Sequence, residues 1–554
     1  LLYLLSKAID ASTRKERFLL KTAALITALS GFFVVVGIYH ATTEEVPANG
    51  GSFTEGIVGQ PTFINPLVAS GSDADAVAIE LLFPKLGSII ESYTTGVDQK
   101  TASITLKKDL VWDDGTPLTV DDVLFTIEMA QDIVIRSPHA GVWQGVIAEK
   151  INDDEIRFTL RDQSAFFEET SKKLTIAPRH IFGAVPTANL RLSAYNLEPV
   201  GAGPWKFNSI TTERNGFITE LRLVKNPRYV GSESHITEFS LRFYPDTQSA
   251  INAFNKKEID GLGGMSAEEA KTIPIEHRLA SISLPRYYAA FFNQNTNPVL
   301  KDKSVRQALA AAIDRSTITR DIFHNHAAGA LGPIPPQTEG YNITVLQTKP
   351  DSPEHARRLL DASGWLVNPE DNIRYKTIGK ERMQLRFTVI IPDIPFLIRT
   401  MEIVKANWLA IGAQAEITSM PVEDIQKGPI RTRNYEVIVF GNILKGNPDI
   451  STFWHSSQKF YPGLNLAMYE NKTVDTILTT IQKTEKANIA QLKQLQEMIK
   501  NDAPAAFLIN PNYLYAIPTN LHGIKTTELI TPSDRLGNTN EWYIRTRRQF
   551  KKDE

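Results

Sequence analysis

The 554-residue chain contains no cysteine. That excludes disulfides, thiolate zinc sites, iron–sulfur clusters, cysteine nucleophiles and the lipid-bearing cysteine of a bacterial lipoprotein. It has almost no net charge: 60 basic and 62 acidic residues leave a formal −2, so no global attraction to nucleic acid is expected. There is no G-x-S-x-G pentapeptide for a strand–turn–helix serine nucleophile. There is no H-E-x-x-H for a zinc hydrolase. In "FHNHAAG", His324 and His326 stand two apart, which a helix would point in different directions; a solvent-facing pair is expected, although in a loop or strand they could share a metal. "GLGG" (261–264) is too short for a phosphate cradle. The expectation is therefore no catalytic residue, no metal, no cofactor and no enzyme, a burial-perturbed acid pair being the one enzymatic route left open.

The chain is too long for one ordinary core, so two or more packed units are expected. Residues 18–39, "FLLKTAALITALSGFFVVVGIY", form an apolar run of about the length that spans a bilayer. Arg14, Lys15, Arg17 and Lys21 lie at or before its start, and Glu44 and Glu45 follow it. The positive-inside rule then puts residues 1–17 in the cytoplasm and the bulk of the chain on the extracytoplasmic side, at a single-pass membrane anchor. A cleaved signal peptide is the competitor, but Tyr39 sits where a small residue should precede Ala41. Residues 40–52 read as a flexible tether and 546–554 as a solvated basic tail. No later segment is apolar enough to cross a membrane, and no fixed-period repeat is present.

Strand-like and helix-like segments alternate throughout. "EIRFTLR" puts Ile156, Phe158 and Leu160 on one face. "DKSVRQALAAAIDR" places Val305, Ala308, Leu309, Ala312 and Ile313 on one helical stripe. "SPEHARRLLDASGW" carries a Ser352 cap, Pro353 in the first turn and Gly364 as a stop. Between 384 and 440 the order is strand, helix, strand, helix, strand, the signature of a parallel α/β sheet. Such sheets take ligands at the carboxyl ends of their strands, so the loop after "YEVIVF" is a place to look for contacts.

"WDDGTPLTVDDVLFTIE" holds four aspartates in ten positions: Asp113, Asp114, Asp121 and Asp122. Gly115 and Pro117 make a tight turn of the first pair. Thr119 stands three before Asp122, a capping box ahead of an apolar run, with both later acids at the positive end of the helix dipole. Leu118 and Val120 break the alternating oxygen ladder of a calcium loop. These acids are expected to build a turn and start a helix.

The same stretch resembles the signature of the extracellular solute-binding proteins of family 5, the oligopeptide, dipeptide and nickel-binding group served by ABC transporters. "GQPTFINPL" (59–67), "EPVGAGPWKF" (198–207), "KNPRYVG" (225–231), "AINAFNKKEIDG" (250–261), "SVRQALAAAIDR" (304–315), "GPIPP" (332–336), "ARRLLDASGW" (356–365) and "MYENKTVDTIL" (468–478) continue the resemblance in the family's order. It implies an α/β, two-lobed, periplasmic-binding-protein-like fold of type II, with an inserted extra domain, preceded here by the N-terminal transmembrane helix. By resemblance, lobe one comprises 53–90, 200–285 and a return at 516–545, the insertion 91–199, and lobe two 286–515. It further implies capture of a small ligand, most simply a peptide, by hinge closure, as a monomer, with delivery to ABC permease subunits and their ATPases. The alternatives are a metal chelate, sugar or opine in the same fold, or a sensor without transport.

Peptide-binding relatives follow the last of these strands with a tryptophan and an aspartate that meets the peptide ammonium. Here "FGNILKGNPDISTFWHSSQ" (440–458) lacks the early acid. Either Asp449 takes over the ammonium, or a free peptide N-terminus is not read. Phe440, Asn442, Asp449 and Trp454 are candidate ligand contacts, Trp454 as a pocket floor or as packing inside lobe two. Lys445 would favour an anionic group if it faces the cleft rather than solvent. In "PRYYAAFFNQN" Tyr288 and Asn293 are further candidates; Tyr288 and Phe292 share a strand face opposite Tyr287 and Phe291, and only one set can look into the cleft.

Overall fold

The computed structural model describes residues 13–551 except 69–71, 337, 347–351, 445–448, 485–488, 526 and 528. The helix Arg14–Thr42 opens the chain, with Thr13 and Glu16 forming both bonds of a capping box and no residue of the helix buried. Its mean hydropathy reaches 2.0 over an 18-residue window. At the helical rise, the apolar stretch is about 33 Å long, enough for a bilayer core of about 30 Å.

The segment read as a tether is in fact a strand. Thr43–Ala48 pairs antiparallel with Arg545–Phe550 from the segment read as a free tail, bringing Glu45 opposite Arg548. This one facing pair of opposite charges adds modestly to the backbone ladder that joins the two segments.

Lobe one is a seven-stranded sheet in the order Arg278–Ile282, Tyr513–Ile517, Gly261–Met265, Ser52–Val58, Glu238–Tyr244, Ile218–Lys225, Trp205–Thr212. The four-stranded antiparallel sheet of Ile90–Thr95, Thr101–Leu106, Glu155–Thr159 and Ile147–Lys150 forms the insertion, and its core is continuous with that of lobe one. Trp143, Phe158 and Phe167 pack edge to face within it.

Lobe two is a six-stranded sheet in the order Ala327–Gly329, Ala505–Pro511, Arg286–Phe292, Val437–Ile443, Arg386–Pro392, Gln414–Met420. The strand–helix–strand pattern read between 384 and 440 forms here: Arg386–Pro392 runs parallel to both Gln414–Met420 and Val437–Ile443, with helix Pro395–Ala410 as the first crossover. Leu385, Phe387, Val389 and Ile391 lie in the core on one sheet face, with Val305, Ala308, Leu309, Ala312 and Ile313. A second core covers the other face. Ser352 caps helix Pro353–Ala362 through His355 N, and Gly364 follows it at φ +83°.

The four aspartates build the turn and helix start. Thr119 N donates to Asp122 Oδ2 at 2.9 Å, and Arg179 N donates to Asp122 Oδ1 at 2.8 Å. Asp114 accepts from Thr116 N, Asp113 from Gly201 N.

Among the described residues the chain crosses between lobes twice, at 283–285 and at Asn512. The flanking strands are paired in both lobes, Ile282 opposite Tyr513 and Tyr288 opposite Ile509, so the crossings run side by side. Tyr513–Ile517 belongs to the lobe-one sheet, so the return crossing comes at 512 rather than after 515. Two adjacent strands crossing once each way make a hinge.

Candidate functional site: a cleft between the lobes

A cavity of about 500 Å³ opens where the crossings meet. Lobe one lines it through Gly264–Glu269, Tyr513 and Leu514, and lobe two through Ile322, Phe323, His326, Pro395, Phe396 and Arg399. Arg286 and Tyr288 enter from the outgoing crossing, Pro511 and Asn512 from the return. Pro395 follows the carboxyl end of the parallel strand Arg386–Pro392, where an α/β sheet takes its ligand. The volume falls within the range of small-ligand sites. A second cavity of about 340 Å³ shares Gly264 and Tyr513 with it and runs over lobe one past Val58, Asp73 and Arg535.

The wall is aromatic with a few polar groups. Tyr288 meets Phe396 edge to face at 5.3 Å, and Phe396 meets Phe323 at 5.5 Å. Burial pushes the Tyr288 hydroxyl up and that of Tyr513 up to about 12, so both stay neutral at physiological pH. Glu268 of lobe one accepts from Arg399 Nη1 of lobe two at 2.5 Å, an ion pair across the cleft, and this bond holds the Glu268 carboxyl below its usual range. His326 Nδ1 lies 3.2 Å from Ser281 Oγ, and Asn512 Nδ2 donates to the same oxygen at 2.9 Å. A further cross-lobe contact is made by the insertion, where Ala165 N donates to Gln482 O at 2.9 Å.

The glycines of "GLGG" have a packing reason. A Cβ on Gly261 would stand 2.1 Å from Glu55 Oε2, and one on Gly263 2.0 Å from the Tyr513 hydroxyl. Gly261 makes room for a buried cluster in which Tyr515 OH and Arg535 Nη2 both donate to Glu55.

Of the six candidate contacts, Tyr288 lines this cavity. Asn442 and Trp454 are buried on the opposite side of the lobe-two sheet, where both donate to the Tyr287 hydroxyl, at 2.9 and 3.3 Å. All seven tryptophans are buried to below 2% exposure, so none is available as a pocket floor. Phe440 is half-buried against that same core. Asn293, at the far end of its strand, donates to Arg433 O at 3.0 Å. Asp449 accepts from Ser451 N and Gln482 Nε2, and it does not line the cavity. Lys445 lies outside the described residues. The strand face carrying Tyr288 is thus the one that reaches the cleft, while Tyr287 and Phe291 face the inner core.

Sequence reasoning missed Arg286, Phe396, Arg399, Glu268 and Tyr513. A usable signal existed for one: Arg286 is a charge directly after Pro285 at the head of the apolar run "YYAAFF".

Two lobes, two crossing strands and a cleft between them define a two-lobed α/β binding protein. The chain belongs to the bacterial extracellular solute-binding proteins, family 5, whose middle-region profile matches residues 87–461. The oligopeptide-binding protein AppA of Bacillus subtilis (strain 168) is 26% identical over 522 residues, covering 90% of this chain and 92% of that one. The structure of AppA from Bacillus subtilis with a nonapeptide aligns at TM-score 0.70 and 24% identity, over 90% of this chain and 99% of that one. NikZ from Campylobacter jejuni, in complex with Ni(L-His), aligns at TM-score 0.70 and 22% identity, over 89% and 99%. The two structures show the fold. The family is one of solute binding, associated with ABC transporters.

Proposed function

We propose that this protein captures a short peptide between its lobes and, anchored by helix Arg14–Thr42, presents it to the permease subunits of an ABC importer with their ATPases. The observation that carries the reading is the cavity lined from both lobes at the paired crossings. A hinge of two strands lets the lobes rotate about a site that both contribute to, so ligand contacts on either side favour the shut form. The extended likeness to the Bacillus oligopeptide-binding protein supports a peptide. The Campylobacter structure with its nickel–histidine complex, equal in TM-score, supports a metal chelate as the second reading. A helix whose apolar residues from Phe18 to Tyr39 are exposed, apart from a half-buried Val36, supports a lipid environment for that segment, with a monomeric binding unit beyond it.

Of the sequence candidates, Tyr288 is retained as a ligand contact, joined by Phe396, Phe323 and Tyr513. Native mass spectrometry of detergent-solubilised protein from its own host tests the reading. One copy of a short peptide per chain is expected; a recovered chelate supports the second reading, and failure to retain any member of a broad peptide and chelate library contradicts both.

A further inference from the structure

The charges around the cavity can be accounted for one by one. Glu268 and Arg399 hold each other across the cleft. Glu269 accepts from Ser266 N in a capping box at the helical turn Ala267–Ala270. His326 meets Ser281. Arg286 stands apart. Among the described residues its side chain has no hydrogen-bond or ion-pair partner, and its Nε is buried without one. The carboxylate that acts on it, Asp73, does so through its field alone, and its other charged-form neighbours are the hydroxyls of Tyr288 and Tyr513. Burial pulls the Arg286 guanidinium below the usual arginine range.

A half-buried guanidinium with its Nε cut off from water and no bonded counter-charge loses hydration that the protein does not replace, and a hydrocarbon side chain would serve packing better. The cost is offset if the missing partner arrives with the ligand. The planar fork suits two parallel bonds to a carboxylate. Its place at the head of strand Arg286–Phe292, directly after the outgoing crossing, sets it on the hinge itself, between the two surfaces that close.

We infer that Arg286 seats a carboxylate of the ligand, so that this binding protein selects solutes carrying a negative group at the hinge end of the cleft. The inference rests on the capture reading above and deepens it. The carboxylate could be a peptide C-terminus, an acidic side chain or a carboxylate of a chelating ligand.

The test uses the full chain in detergent and native mass spectrometry. The first two probes are one random tetrapeptide pool without aspartate or glutamate, presented as free acids and as C-terminal amides. The third is an amidated pool with one glutamate per peptide, and the fourth is the nickel–histidine complex. The free-acid pool, the glutamate pool or the chelate should be retained at least about tenfold better than the neutral amides, the outcome naming the source of the carboxylate. Arg286→Gln should remove most of the margin by which the retained probe exceeds the neutral amides, and Arg286→Lys should recover part of the loss. If Arg286 instead serves Asp73 in a closure contact, Arg286→Gln and Asp73→Asn weaken charged and neutral probes alike, which overturns the inference. So does a wild type that holds none of the three carboxylate-bearing probes better than the amides without one; that comparison needs no variant. A wild type that retains no probe sinks the capture reading and the inference together, whereas retention indifferent to charge sinks the inference alone.

Discussion

Two arginines flank Tyr513, and they are treated in opposite ways. Arg535 is fully buried in lobe one, bonded to Glu55, with its guanidinium over the rings of Tyr513 and Tyr515 at 5.2 and 4.9 Å. Arg286, at the hinge, has aromatic neighbours and, among the described residues, no bonded counter-ion. The first ties the return segment Pro532–Leu536 to strands Ser52–Val58 and Tyr513–Ile517, and so closes lobe one over a long sequence separation. Among the described residues the second is bonded to nothing. A charge that the fold neutralises is part of the scaffold; a charge that the fold leaves open in a cleft is addressed to something else.

The comparison can be broken by variants that exchange these roles. Glu55→Gln should have the largest effect, because it strands the Arg535 charge in the core: a loss of about 3–5 kcal/mol in urea denaturation is expected. A change under about 1 kcal/mol would mean that the tyrosines alone suffice.

The paired side extends to Glu80, which shares Lys85 with Asp534. Burial raises its carboxyl to about 7 against Lys85's opposing pull. Because the folded form holds the proton more tightly than the unfolded chain, this contribution is complete below about pH 4.5 and lost as pH rises through about 7. Denaturation curves of Glu80→Gln should therefore be flatter than wild type between those values, by at most about 3 kcal/mol. Parallel curves would show that Glu80 stays ionised with Lys85.

Arg399→Gln removes the half-exposed pair across the cleft and should weaken charged and neutral ligands alike by a few-fold at most, in line with about 1 kcal/mol or less for such pairs. The smallest effect on stability is expected for Arg286→Gln: an unchanged or slightly raised melting temperature, since an unpaired charge leaves a half-buried site. A drop comparable to that of Glu55→Gln would erase the distinction between the two arginines.

Much of the fold was legible because local rules and the lobe architecture agree. The period-two run at 385–391, the crossover helix after it and the cap at Thr119 each obey short-range physics that the tertiary structure leaves intact. The site was less legible for a definable reason. Both faces of the lobe-two sheet are covered, so alternation separates Tyr287 from Tyr288 without saying which reaches the cleft. Asn442 and Trp454 follow the expected strand, yet their polar atoms converge on the Tyr287 hydroxyl in the interior. Arg286 and Arg399 meet residues far away in sequence, and their solvation depends on how two lobes approach each other. The pairing of Thr43–Ala48 with Arg545–Phe550 was readable in principle, from acids at 44 and 45 and bases at 545, 547 and 548, but only by comparing segments at opposite ends of the chain.

Closure about the hinge is the central claim, and an interlobe distance measures it most directly. With no native cysteine, Lys271→Cys in lobe one and Glu402→Cys in lobe two accept a pair of spin labels unambiguously. Pulsed electron resonance on the full chain, with and without the retained peptide or chelate pool, should show the distance shorten and its distribution narrow as ligand is added. Saturating ligand that leaves the distance and its spread unchanged would contradict the account.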